Sequence, residues 1–127
     1  MIRTRVFTVG QNVPWHDEVD EAEDTATHYL LWVDGAPAAT ARTRMTDGGV
    51  AKIERVAVLD DMQGRGIGRI LMQHIMDHLS LDPAVKAFKL GAQSHAISFY
   101  QKLGFDITSD EYLDAGIPHR DMMKKTA

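Results

Sequence analysis

A glycine-rich turn carries the clearest chemical signal in the chain. Residues 63–68 read Gln-Gly-Arg-Gly-Ile-Gly and stand where a predicted strand meets a predicted long helix. Glycine lets the backbone approach an anion without interference from a Cβ atom, and a helix N-terminus offers unpaired N–H groups and the positive end of the helix dipole. Arg65 and Arg69 add positive charge beside the turn. The pattern indicates a seat for a phosphate or pyrophosphate.

Two known phosphate-binding motifs do not fit the glycine-rich turn. The dinucleotide pattern Gly-x-Gly-x-x-Gly does not fit, because the glycines stand at Gly64, Gly66 and Gly68. The P-loop pattern does not fit either, since no Gly-Lys-Ser/Thr follows. Taken alone, the turn could also do no more than start a helix.

The elements that must position this turn follow from periodicity and turn residues. Three antiparallel strands come first, joined by an Asp34-Gly35 hairpin turn and a turn at 46–49. The predicted elements are strands at 28–33, 38–45 and 50–59, a helix at 66–80, a strand at 87–90, a helix at 94–103, and strands at 105–112 and 117–123. Ser94 is a candidate N-cap and Gly104 a helix-terminating glycine. The pattern predicts an α/β (α+β) domain with helices packed on a mixed sheet.

The N-terminal part is less regular. Residues 2–9 are typical of a strand or of the start of a helix, and a short helix after Pro14 is expected within 11–27. The acidic residues between Asp17 and Asp24 are interpreted as a solvated face, or as a hint of a cationic acceptor.

Composition bounds the function classes. The 127 residues are 44% apolar and 25% charged, which suits one globular domain spanning 1–127. The formal net charge of −4 argues against nucleic acid and anionic membranes as partners. The absence of cysteine excludes thiolate catalysis and thiolate metal sites. Without a membrane-length apolar run or a signal peptide, a cytoplasmic protein is expected.

Two segments together resemble the GNAT superfamily of N-acetyltransferases. Gln63-x-x-Gly66-x-Gly68 is similar to the superfamily's Gln/Arg-x-x-Gly-x-Gly/Ala motif, and the segment 96–105 is similar to its Ala-x-x-x-Tyr-x-x-x-Gly-Phe pattern. Further features, including Ala92-Gln93 and Gly116-Ile117-Pro118-His119, resemble the ElaA/YjcF-like subgroup. The resemblance implies a mostly antiparallel twisted sheet of six to seven strands flanked by helices. Its fourth and fifth strands, here 53–59 and 87–90, would splay into a V.

The resemblance also implies the cosubstrate, acetyl-CoA, lying in that V. The pantetheine would pair with the splayed strand, the pyrophosphate would sit on the turn, and no metal is expected. Ile67 would pack inward as the first core residue of the helix. Gln93 stands where the superfamily usually has an Asn that contacts the pantetheine, and we interpret it as a variation in that contact rather than its loss. Gly10 stands where the subgroup usually has Glu, and because the N-terminal segment lines the acceptor pocket in many relatives, acceptor identity is the feature put in doubt. The implied cofactor-binding residues are Val56, Ala57, Val58, Gln63, Gly64, Arg65, Gly66, Ile67, Gly68, Arg69, Gln93 and Tyr100.

The implied catalytic residues are Tyr100, Glu54 and His119. Tyr100 matches the superfamily's tyrosine that protonates the departing thiolate, although a buried tyrosine could simply be a core aromatic. Glu54 is the first candidate for the base, against an ion pair with Arg42 or Arg55, and His119 is the second, against a structural hydrogen bond. The backbone N–H of Val58 could stabilise the oxyanion.

Three functional classes follow. The first is an N-acetyltransferase that acts by direct transfer to a small-molecule or peptide amine, in a protein that could be a homodimer. The second is a catalytically inactive acyl-CoA-binding or regulatory module, and the third a general nucleotide-binding domain. His74 and His78 have the spacing of a metal pair on a helix, but helix-edge packing explains them better.

Overall fold

The computed structural model describes residues 2–9, 13–20, 26–59 and 66–126, with the first two segments described by their backbone pairing. These residues form one mixed sheet and two α-helices. The strands are β1 (Ile2–Val9), β2 (Val13–Asp20), β3 (Thr27–Val33), β4 (Ala36–Thr46), β5 (Val50–Val58), β6 (Ala87–Gln93), β7 (Asp106–Ile107), β8 (Tyr112–Asp114) and β9 (Ile117–Lys125). The helices are α1 (Ile67–Leu79) and α2 (Ile97–Lys102), with 3-10 turns at Asp47–Gly49 and Ser94–Ala96.

The sheet runs in the order β1-β2-β3-β4-β5-β6-β9-β7, and β8 pairs with β9. Every described pair is antiparallel except β5 with β6. Setting aside the very short β7 and β8, seven strands make up the sheet, as expected. The order confirms the predicted fold class, a mostly antiparallel mixed sheet with helices packed on it.

The parallel pair of β5 and β6 is short. β5 and β6 pair only over the three residues from Val50↔Ala87 to Lys52↔Lys89. Beyond that point β5 continues to Val58 and β6 to Gln93 without further pairing between them. This is the expected V-shaped splay.

Helix α1 packs its apolar stripe against β4 and β5. Its buried side chains recur at helical spacing and are Ile67, Leu71, Met72, Ile75 and Met76. They join one core with residues of β3 to β6, with Tyr100 of α2 and with Phe105. Ile67 is therefore the first core residue of the helix, as predicted.

The turn residues behave as their types predict. Asp34 and Gly35 both have positive φ, 52° and 80°, as the hairpin between β3 and β4 requires. Gly104, with φ of 99°, follows α2 where a terminating glycine was expected.

Three local predictions were wrong. The residues after Pro14 extend as β2, because they pair with both β1 and β3 and tertiary pairing outweighs local preference. The predicted strand 105–112 is divided into β7 and β8. Ser94 does not cap a helix with its side chain: its hydroxyl lies 3.2 Å from Glu111 Oε1 and 3.4 Å from the Pro118 carbonyl oxygen, two acceptors for its single proton. None of the described helices has the length and apolar content needed to cross a membrane.

Candidate active site

The splay between β5 and β6 opens a cleft of about 300 Å³. Five residues predicted from the sequence line it together: Glu54, Val56, Gln93, Tyr100 and His119. They come from β5, β6, α2 and β9. Residues up to 65 positions apart in the sequence thus meet where the two strands separate.

A β-bulge shapes the β5 side of this cleft. The pairing of β5 with β4 shifts between Thr40↔Ala57 and Arg42↔Glu54, so two residues of β5, Arg55 and Val56, stand against one residue of β4. Arg55 has a positive φ of 56°, which is unusual for a residue with a side chain. Residues 53–55 therefore do not keep the strict face alternation of a regular strand, and Arg55 lines the cleft beside Glu54.

Tyr100 reaches the cleft from α2 with its ring in the core. The ring packs edge-on against Phe99 and Phe105, with centroid distances of 5.0 and 6.0 Å. Burial raises the pKa of the Tyr100 phenol above its ordinary value, so the phenol keeps its proton at neutral pH. Its hydroxyl has no hydrogen-bond partner among the described residues, which distinguishes it from a core tyrosine with a satisfied hydroxyl.

Tyr29 provides that contrast within the same core. It is 1% exposed, and its hydroxyl lies 2.8 Å from Nδ1 of His78 on α1. The Tyr29 and His78 rings also meet edge to face at 5.7 Å. His78 thus packs at the helix edge, as expected. Among the described residues, no group of three or more His, Asp or Glu side chains is arranged to hold a metal ion.

His119 stands on β9 with a defined tautomer. Its Nδ1 lies 2.7 Å from the carbonyl oxygen of Ile117. Because a carbonyl oxygen can only accept, Nδ1 donates to it, and in the neutral ring Nε2 then holds the lone pair. The ring stacks on Tyr112 at 6.0 Å with 21° between the planes. His119 therefore has the structural hydrogen bond considered from the sequence and also a basic nitrogen at the cleft.

Glu54 is the centre of an ion-pair cluster. Nε and Nη2 of Arg42 both lie 2.7 Å from its Oε1, and Nε of Arg44 lies 3.4 Å from the same oxygen. Nζ of Lys52 is 3.8 Å from Oε2. The pair with Arg42 considered from the sequence is present, and that with Arg55 is not among the described ion pairs. Oε1 is fully engaged, while Oε2 faces a single distant cation.

The helix end of the predicted cofactor site is described in part. Gly66 precedes α1 in the left-handed conformation, with φ of 75°, and an exposed Arg69 lies one turn away. A Cβ on Gly68 would lie 3.4 Å from the Phe99 ring and 3.6 Å from Val58 Cγ2, which are ordinary van der Waals distances, so α1 lies against β5 and α2 at this residue. Gln63, Gly64 and Arg65 lie outside the described residues.

Two other predicted residues are not part of this cleft. Ala57 and Val58 lie further along β5 and line a small apolar depression of about 160 Å³ against β4.

Gln93, which stands where the superfamily usually has Asn, accepts a hydrogen bond from Nε2 of the exposed His95 through Oε1, at 2.7 Å. Its amide nitrogen remains a donor at the cleft.

A second groove, of about 360 Å³, adjoins the first and was not predicted from the sequence. The two share the splayed-strand residues from Ile53 to Arg55 and from Leu90 to Gly91. In this groove the Tyr112 hydroxyl donates to Asp121 Oδ1 at 2.6 Å, and that bond is the main reason why the pKa of Tyr112 is raised to about 12. Sequence patterns gave no signal for this pair, because only the β8–β9 hairpin brings it together.

Comparison with known proteins shows the protein family to which the chain belongs. The family model for the acetyltransferase (GNAT) domain matches residues 6–126, and the chain belongs to this family. Among its relatives are two proteins of the ElaA/YjcF-like subgroup. It is 40% identical to the Uncharacterized N-acetyltransferase YjcF of Bacillus subtilis, over 97% of this chain and 87% of that protein. It is 32% identical to Protein ElaA of Escherichia coli, over 98% of this chain and 83% of that protein.

Solved structures of similar proteins support the same assignment. The crystal structure of Escherichia coli ElaA matches with a TM-score of 0.73 and 30% identity, covering 83% of this chain and 72% of that chain. An acyl-CoA N-acyltransferase from Pseudomonas aeruginosa matches with a TM-score of 0.70 and 27% identity, covering 79% and 68%. The chain is thus an ElaA/YjcF-like member of the GNAT acetyltransferases, which confirms the predicted family and subgroup.

Proposed function

We propose that the chain is an acetyl-CoA-dependent N-acetyltransferase that delivers the acetyl group to a primary amine by direct attack in a ternary complex. The observation that carries the proposal is the cleft between β5 and β6, which is lined by both Tyr100, whose hydroxyl has no hydrogen-bond partner among the described residues, and His119. A covalent route through cysteine is excluded because the chain has none.

The described residues fit the coenzyme. Beyond Lys52, β5 has no strand partner on its β6 side among the described residues, so its backbone groups can pair with an extended amide chain as a further strand would. Gly66 and Arg69 at the start of α1 suit a pyrophosphate, because the N–H groups of a helix N-terminus and a nearby guanidinium both attract anions. Acetyl-CoA supplies an acetyl group activated as a thioester.

The proton transfers are assigned to two side chains. As the amine nitrogen bonds to the acetyl carbon and the carbon–sulfur bond breaks, His119 accepts the amine proton through Nε2, and Tyr100 gives its proton to the departing sulfur. Glu54 has its Oε1 engaged by Arg42, so we assign it to holding the bulged edge of β5. Its role as base is the alternative that the variants below test.

The second candidate function is the catalytically inactive acyl-CoA-binding module. The free Tyr100 hydroxyl argues against it, because a binding module needs no unsatisfied phenol in a core position. A binder would take up acetyl-CoA but release no free thiol with any amine.

The experiment is an acceptor screen with release of free coenzyme A as the signal and mass spectrometry of the acetylated product as confirmation. With the best acceptor, His119→Gln should lower kcat/KM by about 10²- to 10⁴-fold, and His28→Gln on β3 serves as the matched control. Glu54→Gln should retain more activity than His119→Gln. The reverse order would make Glu54 the base, and thiol release by no amine would refute the enzyme.

A further inference from the structure

The second groove contains charges of both signs that have no place in the chemistry proposed above. Its described lining includes the cations Lys52, Arg55 and Lys89 and the carboxylates Glu54, Asp114 and Asp121. The shared residues of the splayed strands connect it directly to the cleft of Tyr100 and His119. Its volume of about 360 Å³ is at the small end of the usual range for ligand sites, about 300–1,000 Å³. A small molecule placed here can reach the reacting end of the first cleft.

Arg55 is the unusual member of this groove. It is exposed, and among the described residues it takes part in no hydrogen bond or ion pair. The other two cations have partners, since Lys52 lies 3.8 Å from Glu54 and Lys89 lies 3.7 Å from Asp121. Arg55 lines both the groove and the cleft. Its positive φ lies within the bulge, and Arg55, whose guanidinium has no partner in the part of the chain that the structure describes, lines both spaces where they join.

The neighbourhood of Arg55 carries excess positive charge. Glu54, the adjacent residue, is surrounded by three cations, Arg42, Arg44 and Lys52. At Glu54 one carboxylate faces four cations including Arg55, so an anion beside Arg55 would meet a local surplus of positive charge, although Asp114 and Asp121 bring the groove's own lining to three charges of each sign. A guanidinium recognises carboxylate and phosphate with two parallel hydrogen bonds, which gives both affinity and orientation.

The opposite wall suits the amine end. Tyr112 donates to Oδ1 of Asp121, which leaves the rest of that carboxylate as an acceptor beside Lys89. A Cβ on Gly91 would lie 2.7 Å from the Tyr112 hydroxyl, so the pair can lie over β6 only because residue 91 has no side chain. Stacking on His119 connects Tyr112 to the residue that we assign as base.

We propose that this groove is the acceptor pocket and that the acceptor is a small primary amine carrying an acidic group, which Arg55 binds. Carboxylate and phosphate satisfy the same chemistry. The inference rests on the proposed acetyltransferase function, and it adds Arg55 as the residue that selects the acceptor.

The test uses matched amines as probes. Glycine is compared with methylamine, β-alanine with ethylamine, and O-phosphoethanolamine with ethanolamine, each at fixed acetyl-CoA with thiol release as the readout. At least one acid-bearing amine should exceed its plain partner in kcat/KM by on the order of 10- to 100-fold, the worth of a charge-assisted pair. The carboxylate and phosphate arms show which acid the pocket takes.

Variants of Arg55 give the second arm. Arg55→Gln should remove the preference through KM, and Arg55→Glu should reverse it toward the plain amine, while Lys125→Gln at the far end of β9 should leave both unchanged. Calorimetric binding of acetyl-CoA to each variant reports folding and the coenzyme site. Equal turnover of acid-bearing and plain amines, or an equal loss of both in Arg55→Gln, would overturn the inference. So would acetyl-CoA binding without turnover of any acid-bearing amine. Failure to bind acetyl-CoA would instead refute the proposed function.

Discussion

Removing the hydroxyl of Tyr100 separates catalysis from folding more cleanly than any other change. The ring of a phenylalanine keeps the edge-on contacts with Phe99 and Phe105, at 5.0 and 6.0 Å. The lost hydroxyl has no partner among the described residues, so no protein hydrogen bond is broken. The free energy of unfolding of Tyr100→Phe should therefore stay within about 0.5 kcal/mol of the parent.

Turnover should respond very differently. A positioned proton donor contributes about 10²- to 10⁴-fold to the rate, which corresponds to about 3–5 kcal/mol of activation free energy. We expect kcat of Tyr100→Phe to fall by that factor, with the affinity for acetyl-CoA unchanged. Thiol release with the best acceptor measures kcat, calorimetry measures affinity, and thermal unfolding measures stability.

Tyr29→Phe is the matched control. Tyr29 is equally a core tyrosine, but its hydroxyl bonds to His78 Nδ1 at 2.8 Å. Losing that bond should cost about 1 kcal/mol, or about 3–5 °C in Tm for a chain of this size, with kcat unchanged. The reasoning is refuted if Tyr100→Phe keeps its turnover, or if the two variants lose stability and activity in parallel.

Three further predictions follow. Gly49→Ala should lower the free energy of unfolding by about 2–4 kcal/mol in chemical denaturation, because φ is +78° and a Cβ would lie 2.5 Å from a backbone carbonyl oxygen. The control Gly48→Ala, with a similar φ but open space around the Cβ, should cost only about 1 kcal/mol. Equal losses of stability in the two variants would contradict the steric argument. Glu54→Gln should cost about 1–3 kcal/mol by leaving the half-buried Arg42 without its carboxylate, and an unchanged midpoint of unfolding would show that the pair contributes nothing. Because the pKa of Tyr112 is raised to about 12, its ionisation should appear in a phenolate absorbance titration near pH 12 and be absent in Tyr112→Phe. An unfolded tyrosine ionises near pH 10, so the contribution of Tyr112 to stability is present below pH 10 and lost as the pH rises toward 12. Ionisation of Tyr112 near pH 10 in the folded protein would refute its hydrogen bond to Asp121.

Local rules predicted most of the fold. The apolar stripe of α1 has a clear helical period, and Asp34-Gly35 has the chemistry of a tight hairpin, so both elements were readable from the sequence. Where a predicted element was wrong, hydrogen-bonded pairing between strands determined the observed structure. In the segment from Val13 to Asp20 the alternation of Val13, Trp15 and Val19 is broken by Asp17, and the segment becomes a strand because it pairs with a neighbour on each side.

The residues of the candidate site likewise fall into those that sequence segments predicted and those that only strand pairing brings together. Tyr100 and His119 were found through segments similar to a known family, and the structure brings both to one cleft. The bulge at Arg55 has no sequence signature, because it depends on how β4 and β5 pair. The pair of Tyr112 and Asp121 likewise depends on the register of the β8–β9 hairpin, which opposes Tyr112 to His119. Long-range register is what sequence patterns do not contain.

Calorimetric titration with acetyl-CoA, with ATP and NAD as parallel ligands, tests the central claim most directly. The proposed function predicts one-to-one binding of acetyl-CoA that neither nucleotide reproduces, because in that proposal the splayed β5 edge would pair with a pantetheine arm that both of them lack. Well-folded protein that does not bind acetyl-CoA, or that binds ATP or NAD equally well, would contradict the account.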